Sequence, residues 1–139
     1  EAVKKAAELC TQKGAKRAVI LAVSGPFHCR MLKTAGEKLA RELLNIEFSD
    51  FKIPVVANVT GDIIPSVSDI KDTLISQVSS PVKWESSVRL MIEKGVDTFV
   101  EIGPGKVLSG FIKKINKDVR TLNVEDLQSL EMTLKALAN

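Results

Sequence analysis

The stretch from Thr98 to Ile115 constrains the fold most, because its hydrophobic period changes halfway along. Thr98-Phe99-Val100-Glu101-Ile102 is a short β-prone run and Gly103-Pro104-Gly105 a turn, after which Val107, Leu108, Phe111, Ile112 and Ile115 recur at helical spacing. Strand, tight turn and helix in that order make one βα unit. Thr121 to Val124 then reads as a short strand, and Glu125 to Ala138 as a last helix with Leu127, Leu130, Leu134 and Leu137 on one face. This alternation predicts an α/β layered fold with mostly parallel strands. The turn glycines lack the lysine and hydroxyl spacing of a phosphate loop and the glycine spacing of a dinucleotide fingerprint, so they read as a structural turn.

The upstream residues repeat the alternation. Ala2 to Lys13 places Val3, Ala6, Ala7, Leu9 and Cys10 at helical spacing, with Gly14 as the stop. Arg17 to Val23 is an apolar run bounded by glycines and predicts a buried strand. From Cys29 to Leu44 the residues Leu32, Ala35, Leu39, Ala40 and Leu43 form an apolar helical stripe, and Arg30, Lys33, Lys38 and Arg41 a solvated face. Pro54 to Thr60 predicts a strand buried on both faces that ends at the Gly61-Asp62 turn. A helix capped by Ser68 is expected to run to about Ser79, where Ser79-Ser80-Pro81 stops it. Another from about Lys83 to Lys94 would bury Trp84, Val88, Met91 and Ile92, with Gly95 closing it.

Composition excludes several functions. The 139 residues are 45% hydrophobic, enough for a real core in one domain or one piece of a larger one. Aromatics make up only 4%, with no tyrosine, which leaves little material for base-stacking platforms. The 20 basic and 17 acidic residues are spread along the chain, so nucleic acid is not the expected partner. Cys10 and Cys29 form no CxxC and have one histidine between them, which cannot build a zinc or redox site, so no metal is expected. Both read as free thiols in a reducing cytoplasm. No apolar run approaches the ~18 residues of a membrane span, and none is expected to meet a membrane. The chain opens at Glu1, without methionine and inside a helical pattern, which suggests an excised piece of a longer protein.

The only histidine, His28, lies in Ala22-Val23-Ser24-Gly25-Pro26-Phe27-His28-Cys29, where a strand is expected to stop and a helix to begin. Such a junction exposes side chains and suits a catalytic base, although a lone imidazole is more often structural or merely exposed.

Four stretches carry a resemblance. VSGPFHCRML around His28, PVVANVTG at 54–61, QVSSPVKWESSV at 77–88 and FVEIGPGKVLSGFIKKI at 99–115 resemble, in order, the C-terminal part of the malonyl-CoA:acyl carrier protein transacylases. The resemblance implies an α/β-hydrolase-like subdomain of layered parallel sheet with a ferredoxin-like subdomain inserted in it. Residues 1–23 would then be the last helix and strand of the small subdomain, and 24–139 the C-terminal part of the large one.

It also implies a ping-pong transfer of malonyl from coenzyme A, through a seryl ester, to the phosphopantetheine thiol of acyl carrier protein. No cofactor is implied, since coenzyme A arrives as the substrate thioester. The family's serine lies in a G-x-S-x-G elbow, and Ser24, Ser79, Ser80, Ser86 and Ser109 all lack that pattern. The nucleophile, the oxyanion hole and the arginine that grips the malonyl carboxylate are therefore expected in a missing N-terminal part of the same enzyme, leaving this piece inactive alone. His28 matches the family's general base, and the main-chain carbonyl of Gln77 matches the group that orients it. Phe27 matches a position where an aromatic ring accompanies malonyl over methylmalonyl. Cys29 stands where many members have serine. Arg30, Lys33, Lys113, Lys114 and Lys117 are candidates, on charge alone, to meet the acidic carrier. Two other readings remain open at this point: a non-catalytic carrier or coenzyme A binding module, and an acyltransferase domain cut from a polyketide or fatty-acid synthase.

Overall fold

The computed structural model describes residues 1–23 and 25–138; Ser24 and Asn139, which bear on the sequence reading, lie outside the described residues. Helix α1 spans Ala2–Gln12 and ends as expected. Gly14 takes φ +90°, and the amides of Lys13, Gly14 and Ala15 return to the carbonyls of Leu9, Thr11 and Cys10, closing the helix over its own orphan acceptors. None of its residues is buried.

The strand expected at residues 17–23 does not form. The run pairs with no other segment among the described residues, and its apolar side chains stand exposed, Leu21 at 71%. A strand needs a neighbour to take its amides and carbonyls, and none is supplied here.

A short 3-10 turn, Arg30–Leu32, leads into α2, Lys33–Glu42, which a second turn at Leu43–Asn45 finishes. Its inner face differs from the expected stripe at one position, because Gly36 is buried and Ala35 is exposed. The reason is close packing against the next helix: a Cβ on Gly36 would sit 3.3 Å from the Ile75 carbonyl oxygen.

The strand expected at 54–60, buried on both faces of a sheet, is also corrected. Val56–Ala57 (β1) pairs antiparallel with Asp62–Ile63 (β2) as a two-residue hairpin. Gly61, at φ +68°, donates its amide to Ala57 at 2.8 Å and turns the chain back before a longer ladder can grow. Helix α3, Ile70–Val78, follows a 3-10 turn at Val67–Asp69. The helical run starts before Ser68, which caps nothing; Ser66 Oγ donates instead to Asp69 at 2.5 Å. Ala57, Ile64 and Ile70 form a first core, with Phe48, Phe51, Val59, Val67 and Leu74 packed on it.

Helix α4, Trp84–Glu93, closes at Gly95 in the same way as α1. Strands β3, Thr98–Ile102, and β4, Arg120–Val124, pair in parallel over all five residues, joined by α5, Val107–Ile115. Val88, Ile112 and Val119 make the second core, with Trp84, Met91, Ile92, Phe99 and Ile115 around it. The fold is therefore α/β with a small parallel sheet.

The last helix, α6, spans Leu127–Leu137, but its buried side is not the leucine face. Ser129 and Thr133 are buried, whereas Leu127, Leu130, Leu134 and Leu137 are exposed. Asp126 and Ser129 form a reciprocal capping box, and Thr133 Oγ1 donates to the Asn123 carbonyl at 3.1 Å, so the polar side is fastened to the end of β4.

Candidate active site

Gly25 and Pro26 break the chain before His28, and His28 itself takes φ +55°, the one non-glycine residue among those described with positive φ. A left-handed backbone at a side chain with a Cβ costs energy and is held only where its surroundings fix it. Here Cys29 Sγ donates to the Pro26 carbonyl at 3.1 Å, bracing the turn, and the Arg30–Leu32 turn begins directly after.

The consequence is the direction of the imidazole. His28 Nδ1 lies 3.2 Å from the main-chain oxygen of Gln77, in the last turn of α3. A carbonyl only accepts, so the bond requires the proton on Nδ1, which leaves Nε2 of the neutral ring with a free lone pair. The residue is exposed, so that lone pair can be reached. The two positions singled out by the sequence, 49 residues apart, are thus brought together through the main chain of Gln77.

Phe27 is 62% exposed. Its ring folds back over Gly25, where an added Cβ would come within 3.3 Å of it. Of the basic candidates, Arg30 and Lys33 are exposed beside the His28 turn, and Lys117 is exposed after α5. Lys113 is exposed, and its ammonium donates to the carbonyls of Lys117 at 3.0 Å and Val119 at 2.6 Å. Lys114 lies over the Phe111 ring, 5.5 Å from its centre.

The glycine turn holds no cradle. Glu101 accepts the amides of Leu108 and Ser109 at 3.1 and 2.8 Å, taking the groups at the start of α5 that an anion would need. Glu125 accepts the Gly105 amide at 2.8 Å, and Asn123 Nδ2 donates to the Gly105 carbonyl at 3.1 Å. The role of Glu101 was missed in the sequence; its one signal is a carboxylate inside an apolar strand run that faces the next helix start. Among the described residues no group of three or more His, Cys, Asp or Glu side chains could hold a metal ion, and no helix is long and apolar enough to cross a membrane. Both cysteines are free.

The fold and site define an α/β protein with one exposed imidazole, oriented by a main-chain carbonyl and with no hydrolase-type nucleophile elbow in its 139 residues. Its curated and structural neighbours are malonyl CoA-acyl carrier protein transacylases, and it matches their C-terminal portion. The Bacillus subtilis transacylase is 46% identical over 135 residues, 97% of this chain and 43% of that protein. The crystal structure of the Clostridium perfringens transacylase superposes with a TM-score of 0.90 at 51% identity, covering 99% of this chain and 43% of its own. A malonyl-transacylase solved in complex with a type II polyketide acyl-carrier protein superposes with a TM-score of 0.90 at 42% identity, covering 97% of this chain and 44% of that one. The chain thus spans less than half the length of these relatives. No family model matches it.

Proposed function

We propose that these residues are the base-carrying portion of a malonyl-CoA:acyl carrier protein transacylase. The observation that carries this reading is the bond from His28 Nδ1 to the Gln77 carbonyl, which leaves Nε2 unprotonated and open. In the first half-reaction Nε2 takes the proton of a serine hydroxyl as its oxygen attacks the malonyl thioester. Collapse of the tetrahedral intermediate breaks the carbon–sulfur bond, and the same imidazole hands the proton to the departing coenzyme A thiolate. In the second, Nε2 takes the proton of the carrier's phosphopantetheine thiol, the sulfur attacks the seryl ester, and the proton returns to the serine oxygen. A histidine is suited to both directions because an imidazole ordinarily titrates near neutrality.

The serine, the oxyanion donors and the carboxylate-binding arginine belong, in this reading, to the part of the enzyme outside these residues. Residues 24–139 complete the α/β-hydrolase-like subdomain, and residues 1–23 end the inserted ferredoxin-like one. Phe27 bounds the acyl site, where its exposed ring would clash with an α-methyl group and so favour malonyl. The acyl carrier protein is the partner, with Arg30 and Lys33 placed near His28 in sequence to meet it, and the cytoplasm is the compartment. The solved complex of a similar malonyl-transacylase with its carrier protein supports the choice of partner.

The test uses the full-length enzyme and malonyl loading of the carrier. His28→Ala lowers kcat by about 10²- to 10⁴-fold, whereas Gln77→Ala, which keeps the carbonyl, changes it only a few-fold. Activity that survives His28→Ala removes the role assigned to the imidazole.

A further inference from the structure

Pro81 stands four residues after Gln77, and this position matters to the base. In an α-helix the carbonyl of residue i takes the amide of residue i+4, and the last four carbonyls of each helix need other partners. Two helices of this chain satisfy three of these four internally, and the carbonyls of Thr11 and Ile92, which stand where Gln77 stands in α3, take the amides three residues on. At the end of α1 the amides of Lys13, Gly14 and Ala15 turn back onto the helix, and at the end of α4 those of Lys94, Gly95 and Val96 do the same. Both ends use a glycine with positive φ, Gly14 and Gly95.

The end of α3 is built differently. Ser79 donates to the Ser76 carbonyl at 3.4 Å, no glycine follows, and the chain runs Ser79-Ser80-Pro81. Proline has no amide proton to give the Gln77 carbonyl, and its ring disfavours a helical conformation at Ser80, so the helix cannot add another turn. The Gln77 oxygen accepts from His28 Nδ1 at 3.2 Å instead.

We propose that Pro81 is a positioning residue: by withholding an amide from the Gln77 carbonyl, it reserves that oxygen for His28 and fixes the imidazole with its proton on Nδ1. The proposal rests on the reading of His28 as the base for its catalytic consequence, but not for its structural one. An alanine or glycine at position 81 supplies the missing N–H and lets α3 extend, so the carbonyl gains a competing donor. The ring then loses its preference for the Nδ1-protonated form, and Nε2 spends part of its time carrying the proton.

The experiment uses the full-length protein labelled with ¹⁵N in its histidine rings, with the His28 signals identified by their loss in His28→Gln. In the unaltered protein the neutral His28 ring carries its proton on Nδ1. In Pro81→Ala and Pro81→Gly the ratio of Nδ1-H to Nε2-H forms falls by about two- to tenfold, the range of one neutral hydrogen bond, and kcat falls by a similar factor with KM for malonyl-CoA unchanged. Gln77→Ala keeps the carbonyl, so the ratio of forms stays where it was while kcat changes only a few-fold. Two proline variants are used because glycine lets the loop keep its path if alanine does not. A His28 ring protonated on Nε2 in the unaltered protein, or an unchanged ratio in both folded Pro81 variants, overturns the proposal. A ratio that moves while kcat stays constant upholds Pro81 as a positioning residue and refutes His28 as the base.

Discussion

Residues 17–23 and strand β3 carry the same signal in the sequence and end in different states. Each is a short apolar run rich in β-branched residues and bounded by turn formers. Thr98–Ile102 pairs residue for residue with Arg120–Val124, and α5 covers the connection. The earlier run has no such partner among the described residues and leaves Val19, Ile20, Leu21 and Val23 exposed. A strand is therefore a property of a pair, and β propensity is only a readiness to join one. The contrast matters for chemistry, because His28 follows the unsupported run. Its left-handed backbone and its bond to α3 hold the imidazole where no sheet does.

The largest expected effect on stability tests that contrast directly. Ile112 is 5% exposed and touches Val88 and Val119 in the second core. In the 139-residue chain, Ile112→Ala lowers the unfolding free energy by about 2 to 5 kcal/mol. Leu21→Ala removes a similar side chain from the unpaired run and changes it by no more than about 0.5 kcal/mol. Urea titration with a common slope measures both. Equal losses would mean that residues 17–23 are buried in solution against something the chain itself provides.

A smaller effect is expected at the hairpin between the two regions. Gly61 has φ +68°, and a Cβ there would lie 2.9 Å from the Ser86 Cβ and 3.2 Å from the Lys83 Cβ. The hairpin is pinned to the start of α4 by the Lys83 amide, which donates to the Asn58 carbonyl at 2.8 Å. Gly61→Ala combines a disfavoured backbone with that close approach and is expected to cost at least about 1 kcal/mol. It should also shift the amide signals of Lys83 and Ser86 more than those of β3 and β4. A variant as stable as its parent would show that the hairpin is free to lift from α4.

Periodicity found the helices well, because each helix contains its own hydrogen-bond partners and its stripe is written in consecutive residues. Sheet structure was legible only where both strands and their crossover lie close together, as from Thr98 to Val124. The run 54–60 had the composition of a buried strand, but the turn at Gly61 folded it back on its neighbour. In α6 the leucines were identified as one face, and that face stands exposed. Spacing tells which residues share a face, but it does not tell what that face meets, and Ser129 and Thr133 were fastened to β4 by hydrogen bonds that carry no periodic signal. The contact between His28 and Gln77 came from resemblance. No pattern within the chain links an imidazole to the main chain of a residue 49 positions away.

The smallest expected effect concerns how that polar side of α6 is held. Asp126 accepts the Ser129 amide at 2.8 Å and the Ser129 hydroxyl at 2.7 Å, and these bonds hold its carboxyl below the usual value of 3.8, the amide contributing most. A carboxyl with a lowered folded pKa adds stability that is complete above its unfolded value and is lost as pH falls through the folded one. Asp126→Ala should therefore speed amide exchange in the first turn of α6 at neutral pH. The charge-dependent part of the difference should shrink through the acid range and be gone once both folded and unfolded carboxyls are protonated. Asp126 is exposed, so the gap is expected to be small, and part of the cap survives because Ser129 Oγ still accepts the amides of residues 125 and 126 at 2.9 Å. A gap that does not change with pH would assign the cap to the shape of the side chain and not to its charge. The leucine face would then be turned outward by Thr133 and the remaining backbone contacts alone.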